Sequence, residues 1–265
     1  MEDGAVKRAA PQGTQAISRA LGVLRLLADS DGEVSAAAVA SSLGLSSGTA
    51  NRILRALEAD GFVVQNKRRD TYYLGSTAIL VGQAAQHGFG LDRTLPILER
   101  VNAETGESVN LVVREGGESV VIMRVQSTLP LRFEQRPGAR FPLYTTASGK
   151  AILAFSPDAE VYVRSLPRKL EQLTPHTLST PSQLSAQLKE VGHRGYSIDE
   201  QENVPGVRCV GAPILDSYGH AQAALVIQVP TVRMPPQRVQ DLGALVVQVA
   251  MEIAQLVPID RRLSL

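Results

Sequence analysis

The residues best suited to chemistry in this 265-residue chain are the run Thr145-Thr146-Ala147-Ser148-Gly149-Lys150-Ala151, Asp199 and Cys209. The Gly-Lys pair resembles the end of a phosphate loop. That loop needs an earlier glycine, where Tyr144 stands, and a magnesium-ligating hydroxyl, where Ala151 stands. Nucleotide binding is therefore rejected. Ser148 and Lys150 do not form a nucleophile pair, because residues two apart on a helix do not face one another. Two readings of the run stay open: a capped helix start with no ligand, or a helix N-terminus whose free N–H groups hold a carboxylate. Cys209 has no candidate ordering partner at a useful spacing and reads as a small buried hydrophobe. His87, His176, His193 and His220 are scattered without metal-ligand spacing. No catalytic residue, metal site or cofactor is expected.

The elements that must position these residues follow from periodicity. Leu95, Ile97, Leu98 and Val101 fit an amphipathic helix ended by Gly106. β-prone runs at Val109 to Arg114 and Ser119 to Val125 flank Glu115-Gly116-Gly117-Glu118, a hairpin signal. A third run, Leu129 to Glu134, leads through Arg136-Pro137-Gly138 into Phe141 to Thr145. Ser148 to Phe155 reads as helix, and Pro181 to Val191 as another capped by Thr180 or Ser182. Tyr196 to Asp199, Val207 to Ile214 and Ala221 to Pro230 read as strands. Pro236 to Val257 closes the chain as an amphipathic helix. Strands joined by hairpins and bracketed by helices imply an antiparallel α+β domain.

The N-terminal third carries a different signature. From Leu43 to Phe62, Ala50, Ile53, Leu54 and Leu57 recur at helical spacing, and Ser47, Thr49, Asn51, Arg52 and Arg55 occupy the other directions. Ser46 or Ser47 supplies an N-cap, and Gly61 a helix-ending residue. Upstream, Ser35 caps a short helix through Ser42, and Gly44 makes the tight turn between the two. This is the helix-turn-helix pattern. Val63 to Leu74 then forms a hairpin, or wing, tipped by Lys67, Arg68 and Arg69, cations able to lie against phosphates. A preceding helix capped by Thr14 carries Ile17, Leu21, Leu24 and Leu27 on one stripe, and its Arg19 can reach a phosphate. Taken singly, each cation is an ordinary solvated surface charge. In this order the elements describe a DNA-binding module, with Ser46, Ser47, Thr49, Asn51, Arg52 and Arg55 on its reading helix.

Composition bounds the rest. A net charge of +1 excludes coating nucleic acid by bulk charge, so DNA contact must come from a local basic patch. One cysteine permits no intramolecular disulfide and suits a reducing cytoplasm. Residues 1–13 read as a flexible arm without the apolar core of a signal peptide. No apolar run approaches the roughly 20 residues of a membrane-spanning helix. A soluble cytoplasmic protein is expected.

These residues together resemble the IclR family of bacterial transcription regulators over nearly the whole chain. The matches run from Ala16-Ile17-Ser18-Arg19-Ala20-Leu21 through Leu43-Gly44-Leu45, Arg52-Ile53-Leu54, Gly61-Phe62 and Tyr73-Leu74-Gly75. They resume at Thr146 to Ala154, Gly195-Tyr196, Asp199, Glu202, Gly206-Val207-Arg208-Cys209 and Ala212-Pro213-Ile214. No one motif is specific, but their order across two domains is. The resemblance implies an α+β protein in which a winged helix-turn-helix domain (14–75) is joined by a linker helix (76–90) to a GAF-like antiparallel-sheet effector-binding domain (91–259).

It implies function as well. A homodimer, or a tetramer of paired dimers, binds a pseudo-palindromic double-stranded operator, and the linker region helps form the dimer. A small organic acid sits between the start of the Ser148 helix, at Ala147, Ser148 and Gly149, and Asp199 with Cys209. Positions matching Pro130, Phe133, Leu225, Val226 and Gln228 complete the pocket. Val226 and Gln228 stand where a glyoxylate/pyruvate-responsive member has serines, which points to a larger, partly apolar or aromatic acid with Phe133 as a wall. The runner-up reading is a small-molecule enzyme with an accessory DNA-binding domain, but it lacks a general base paired with a nucleophile. A ligand-free DNA-packaging protein is disfavoured by the near-neutral charge.

Overall fold

The computed structural model describes residues 13–256 except residue 31. Of the expected N-terminal arm only Gly13 is among them, and the domain end at 257–259 also lies outside the described residues. The chain divides into two compact units, one ending at Gly88 and one beginning at Phe89.

Side-chain caps start the helices of the first unit where the sequence places serines. After α1 (Gln15–Asp29) comes a two-residue strand, β1 (Val34–Ser35), whose Ser35 hydroxyl accepts from the Ala38 amide and opens α2 (Ala36–Ser42). Gly44 turns the chain with φ +61°. Ser46, rather than Ser47, then caps α3 (Ser47–Ala59) by accepting from the Thr49 amide at 3.3 Å. The wing is β2 (Val63–Asn66) and β3 (Thr71–Leu74). β1 pairs with β3, Val34 opposite Tyr72, making a three-stranded sheet in the order β1-β3-β2. Two residues carry no readable period, so this strand is not legible in the sequence.

Val23, Val39, Ala50, Leu54 and Val63 are fully buried at the centre of this unit. Each larger side chain among them contributes about 1.5–3 kcal/mol by leaving water. The stripe expected on α1 is only half used. Leu27 is buried and Leu24 packs at the edge, but Ile17 and Leu21 are 61% and 49% exposed. Thr14 holds the N-cap position without a side-chain cap bond. The helix after the wing, α4 (Ser76–Gly88), groups with this unit and buries none of its residues, leaving Ile79, Leu80 and Val81 open.

The second unit is built on a six-stranded antiparallel sheet with helices on both faces, a curled GAF-like arrangement. After α5 (Leu91–Thr105) come β4 (Ser108–Glu115), β5 (Glu118–Val125) and a short β6 (Arg140–Pro142). Next follow α6 (Ala147–Ala154), α7 (Ala159–Ser165), α8 (Pro181–Arg194) and β7 (Ser197–Glu200). Two long strands, β8 (Val207–Leu215) and β9 (Ala221–Pro230), lead to α9 (Pro236–Leu256). The sheet order is β6-β5-β4-β9-β8-β7. Alternation sorts its faces. Val109, Leu111, Val210, Leu225 and Ile227 pack with Leu98, Val101, Val246 and Ile253 of α5 and α9. On the other face α6 lies against β8 and β9, with residues Ala147 through Leu153 all buried.

Three expectations need correction. The run Leu129 to Glu134 is not a strand, because side chains take its carbonyls: Arg124 and Gln126 donate to Phe133 O, and Arg233 to Leu131 O. The extended run expected through Thr145 stops at Pro142, and Leu143–Thr145 forms a 3-10 turn that presents Thr146 as the cap of α6. α9, at 21 residues, is long and apolar enough to cross a bilayer by length and composition. Here its apolar stripe, Val239, Leu242, Val246, Val249 and Ile253, is the core layer on the sheet.

Candidate DNA interface and effector cavity

On α3, residues three or four apart share a side of the helix. Ala50 and Leu54 go to the core, and Ser47, Arg52 and Arg55 are exposed. Lys67, Arg68 and Arg69 are exposed at the wing tip, and Arg19 is half-buried on α1. Among the described residues none of these cations is held in an ion pair. The polar candidates are more committed. The Ser46 and Thr49 hydroxyls lie 2.9 Å apart, Asn51 Nδ2 donates to Ser47 O at 2.9 Å, and Arg55 Nε donates to Asn51 O at 3.4 Å. The wing is fixed just behind its tip by Glu33, whose carboxylate accepts from Asn66 Nδ2 and Thr71 Oγ1.

In the second unit a cavity of about 40 Å³ lies between the sheet and the start of α6. Ala147, Ser148, Asp199, Cys209, Val226 and Gln228 of the expected set line it, and so do Asn110, Gln135, Thr146 and Asn203, which the sequence reading left out. Register explains the row: Asp199 faces Cys209, and Cys209 faces Gln228, across β7, β8 and β9. The same alternation removes Leu225, which the sheet turns to the α5–α9 face. Gly149 is outside too. Its amide is consumed by the Thr146 cap at 3.0 Å, and a Cβ there would stand 2.1 Å from Leu143 O, so only glycine fits. Pro130 is exposed, and Phe133 packs against the cavity's apolar neighbours without lining it.

Electrostatics differ at the two sides. Beneath Asp199, the fully buried Lys150 donates to Glu202 Oε1 at 2.5 Å and to Gln187 Oε1 at 2.7 Å, while Glu202 N donates to Asp199 Oδ1 at 2.7 Å. Lys150 thus points away from Ser148 into an ion pair, where no spacing rule in the sequence would have put it. Burial pushes the Asp199 carboxyl up to about 7, with Lys150 opposing and Glu202 reinforcing. Burial foremost, then Asp199, pushes the Cys209 thiol up, so it is a neutral wall group rather than a thiolate nucleophile. On the β5 side, the half-buried Arg124 donates to Asn110 Oδ1, Gln228 Oε1, Gln135 Oε1, Gln126 Oε1 and Phe133 O. Its guanidinium is lowered by burial to about 10 and still carries its charge at neutral pH.

Comparison with known proteins gives the same two parts. Residues 91–255 match the family described as bacterial transcriptional regulator IclR C-terminal, and residues 16–67 match the IclR helix-turn-helix domain. The transcriptional repressor IclR of Escherichia coli strain K12 is 33% identical over 243 residues, 90% of this chain and 88% of that protein. The crystal structure of the Thermotoga maritima IclR is similar with a TM-score of 0.73 at 30% identity, covering 90% of this chain and 97% of that one. An IclR homolog from Microbacterium hydrocarbonoxydans, complexed with 4-hydroxybenzoate, shares the fold with a TM-score of 0.78 at 23% identity, over 91% and 98% of the two chains.

Proposed function

The chain belongs to the IclR family of bacterial transcriptional regulators, and from that membership we propose which residues touch DNA and what enters the cavity. It is a DNA-binding regulator with a ligand-binding C-terminal domain, rather than an enzyme, and its relatives are named as regulators and repressors. Arg52 and Arg55, with Ser47, are the groups α3 offers to the major groove. Lys67, Arg68 and Arg69 hold the flanking backbone, and Arg19 adds a phosphate contact. Asn51, Ser46 and Thr49 serve the reading helix by fixing its first turns, and Asn51 can exchange its bond to Ser47 O for a base edge. The observation that carries this reading is the set of exposed cations, in no ion pair among the described residues, on a capped helix and its adjoining wing.

Two copies are needed to read a pseudo-palindrome, with recognition helices about one helical turn apart or a multiple of it. The exposed apolar residues Ile17 and Leu21 of α1, and Ile79, Leu80 and Val81 of α4, are the surface on which the second copy sits. The regulator works on DNA in the cytoplasm.

The effector is a small organic acid. Its carboxylate takes the α6 start, where the cap uses the Gly149 amide and leaves those of Ala147 and Ser148. A cavity of about 40 Å³ has room for roughly three waters, whereas a benzene-sized guest needs about 150 Å³. Any larger acid, including an aromatic one such as the Microbacterium neighbour holds, therefore binds with the cavity walls parted. That difference between closed and parted states is what couples the acid to DNA affinity.

The test is fluorescence anisotropy with DNA from upstream of the protein's own gene, at fixed salt, titrated with aliphatic and aromatic acids. A specific complex whose affinity one acid shifts supports the whole reading. A specific complex that no acid shifts overturns the effector half. Equal affinity for random DNA overturns the recognition half.

A further inference from the structure

Arg124 is a half-buried cation whose five hydrogen bonds all end on neutral oxygens, and no carboxylate among the described residues pairs with it. Burying a charge is costly when its partners are all neutral, and Glu134 acts on Arg124 only from beyond ion-pair distance, so a further anion placed near it would be stabilised. What Arg124 touches tells how. A guanidinium has only donors, so each amide side chain that meets it must turn its oxygen inward. The Oδ1 of Asn110 and the Oε1 of Gln228 are each 2.8 Å from Nη1, and that of Gln135 is 3.3 Å away. Their NH2 groups are thereby turned outward from Arg124. All three residues line the cavity.

On this side the cavity is lined by three amides whose oxygens are committed to Arg124, which leaves their NH2 groups as the donors they can offer a ligand. This side lies away from Asp199: Arg124 stands four strands from β7, roughly 19 Å between backbones, and Gln228 stands two strands away, roughly 10 Å. The α6 start supplies a separate group of donors beside Asp199.

We propose that Arg124, acting through Asn110, Gln135 and Gln228, makes this wall a second carboxylate-recognition pole, and that the effector is a short dicarboxylic acid bridging it to the α6 start. This rests on the reading of the cavity as the effector site. Arg124 is a positioning residue here: it never needs to touch the ligand, because the amides it orients do.

The experiment is calorimetric titration of the full-length protein with succinate, glutarate and adipate, each against the monocarboxylate of equal chain length. The diacid of best-fitting length binds at least tenfold more tightly than its monoacid. In Arg124→Met, and in Gln228→Glu, that ratio falls to about one. Gln228→Glu separates recognition from support, since it gives Arg124 an ion-pair partner and keeps the thermal midpoint while replacing a donor with a repelling carboxylate. A ratio near one in the parent protein, or a ratio that Gln228→Glu leaves unchanged, overturns the second pole while the effector cavity stands. Binding of no acid of either class to the folded protein overturns the effector reading and the second pole with it.

Discussion

The Thr77 hydroxyl donates to the Asp60 carbonyl at 2.9 Å, and the Thr77 amide donates to Gly61 O at 3.1 Å. The first turn of α4 thereby satisfies backbone groups at the end of the recognition helix α3. Gly75 is packed into the same junction: a Cβ there would stand 2.3 Å from Gly61 O. Thr77→Val should lower the stability of the N-terminal unit by about 1 kcal/mol. Gly75→Ala should cost more, because backbone must move. Hydrogen exchange of the α3 amides reports both, and unchanged protection in both variants would show that the junction does not support the helix.

Arg52 and Arg55 are exposed and make no ion pair among the described residues, so the double change to Ala should leave the thermal midpoint in place. Operator affinity should fall by about 1–3 kcal/mol for each base edge that the variant no longer reads. Arg68→Ala should instead weaken all sequences alike and lower the slope of log affinity against log salt by about one. Anisotropy titrations over a salt series distinguish the two outcomes.

The Lys150–Glu202 pair is buried on both sides, and Glu202 Oε2 has no hydrogen-bond partner among the described residues. Lys150→Met should destabilise the C-terminal unit by about 3–5 kcal/mol by stranding the carboxylate. Adding Glu202→Leu should restore part of that loss. Urea unfolding of the two single variants and the double closes the cycle, and strictly additive losses would show that the pair is uncoupled.

Asp199 titrates at about 7 in the folded chain and from an ordinary value of 3.8 when unfolded. The folded state therefore holds this proton more tightly. The contribution of Asp199 is fully present below about pH 4 and is lost as pH rises to about 7. Relative to the parent, Asp199→Asn should gain stability across that window by about 1.4 kcal/mol per pH unit at most, then level off. An acid bound beside Asp199 should bind more weakly as pH rises through 7. Unfolding and calorimetry over a pH series measure both slopes.

Leu21→Glu combined with Leu80→Glu changes two exposed side chains and should leave each chain folded but monomeric. Sedimentation should show the lower mass, and operator affinity should drop with it, because one half-site is then held at a time.

Helix starts were the most legible part of the sequence, because a cap is a local event: Ser35, Ser46 and Thr180 each accept from the amide three residues on. Strands with clean alternation were legible too, and Ala221–Pro230 has the bounds the pattern gives. What failed depended on distant partners. The segment through Phe133 looked like a strand until Arg124, Gln126 and Arg233 took its carbonyls. Glu107 gives no signal in sequence, yet it is fully buried between Arg233 and Arg238 of the turn and helix that follow β9. In the cavity the family resemblance found Asp199, Cys209 and Gln228. It carried Leu225 to the wrong face, since one step along a strand reverses the side chain.

The clamp that Glu33 and β1 place on the wing bears on how quickly and how selectively DNA can be read. A free two-stranded hairpin is marginal in water, and its ordering would oppose each encounter with a duplex. Here Glu33 accepts from Thr71 and Asn66, and Val34 pairs with Tyr72, so the wing is already ordered before DNA arrives. Lys67, Arg68 and Arg69 therefore sit at the tip of a wing ordered within the same compact unit as α3, and on the proposed DNA contacts they should meet phosphates without a further ordering cost. On that proposal, a duplex whose groove width does not match the spacing of wing and α3 should be rejected on shape, before a single base is tested.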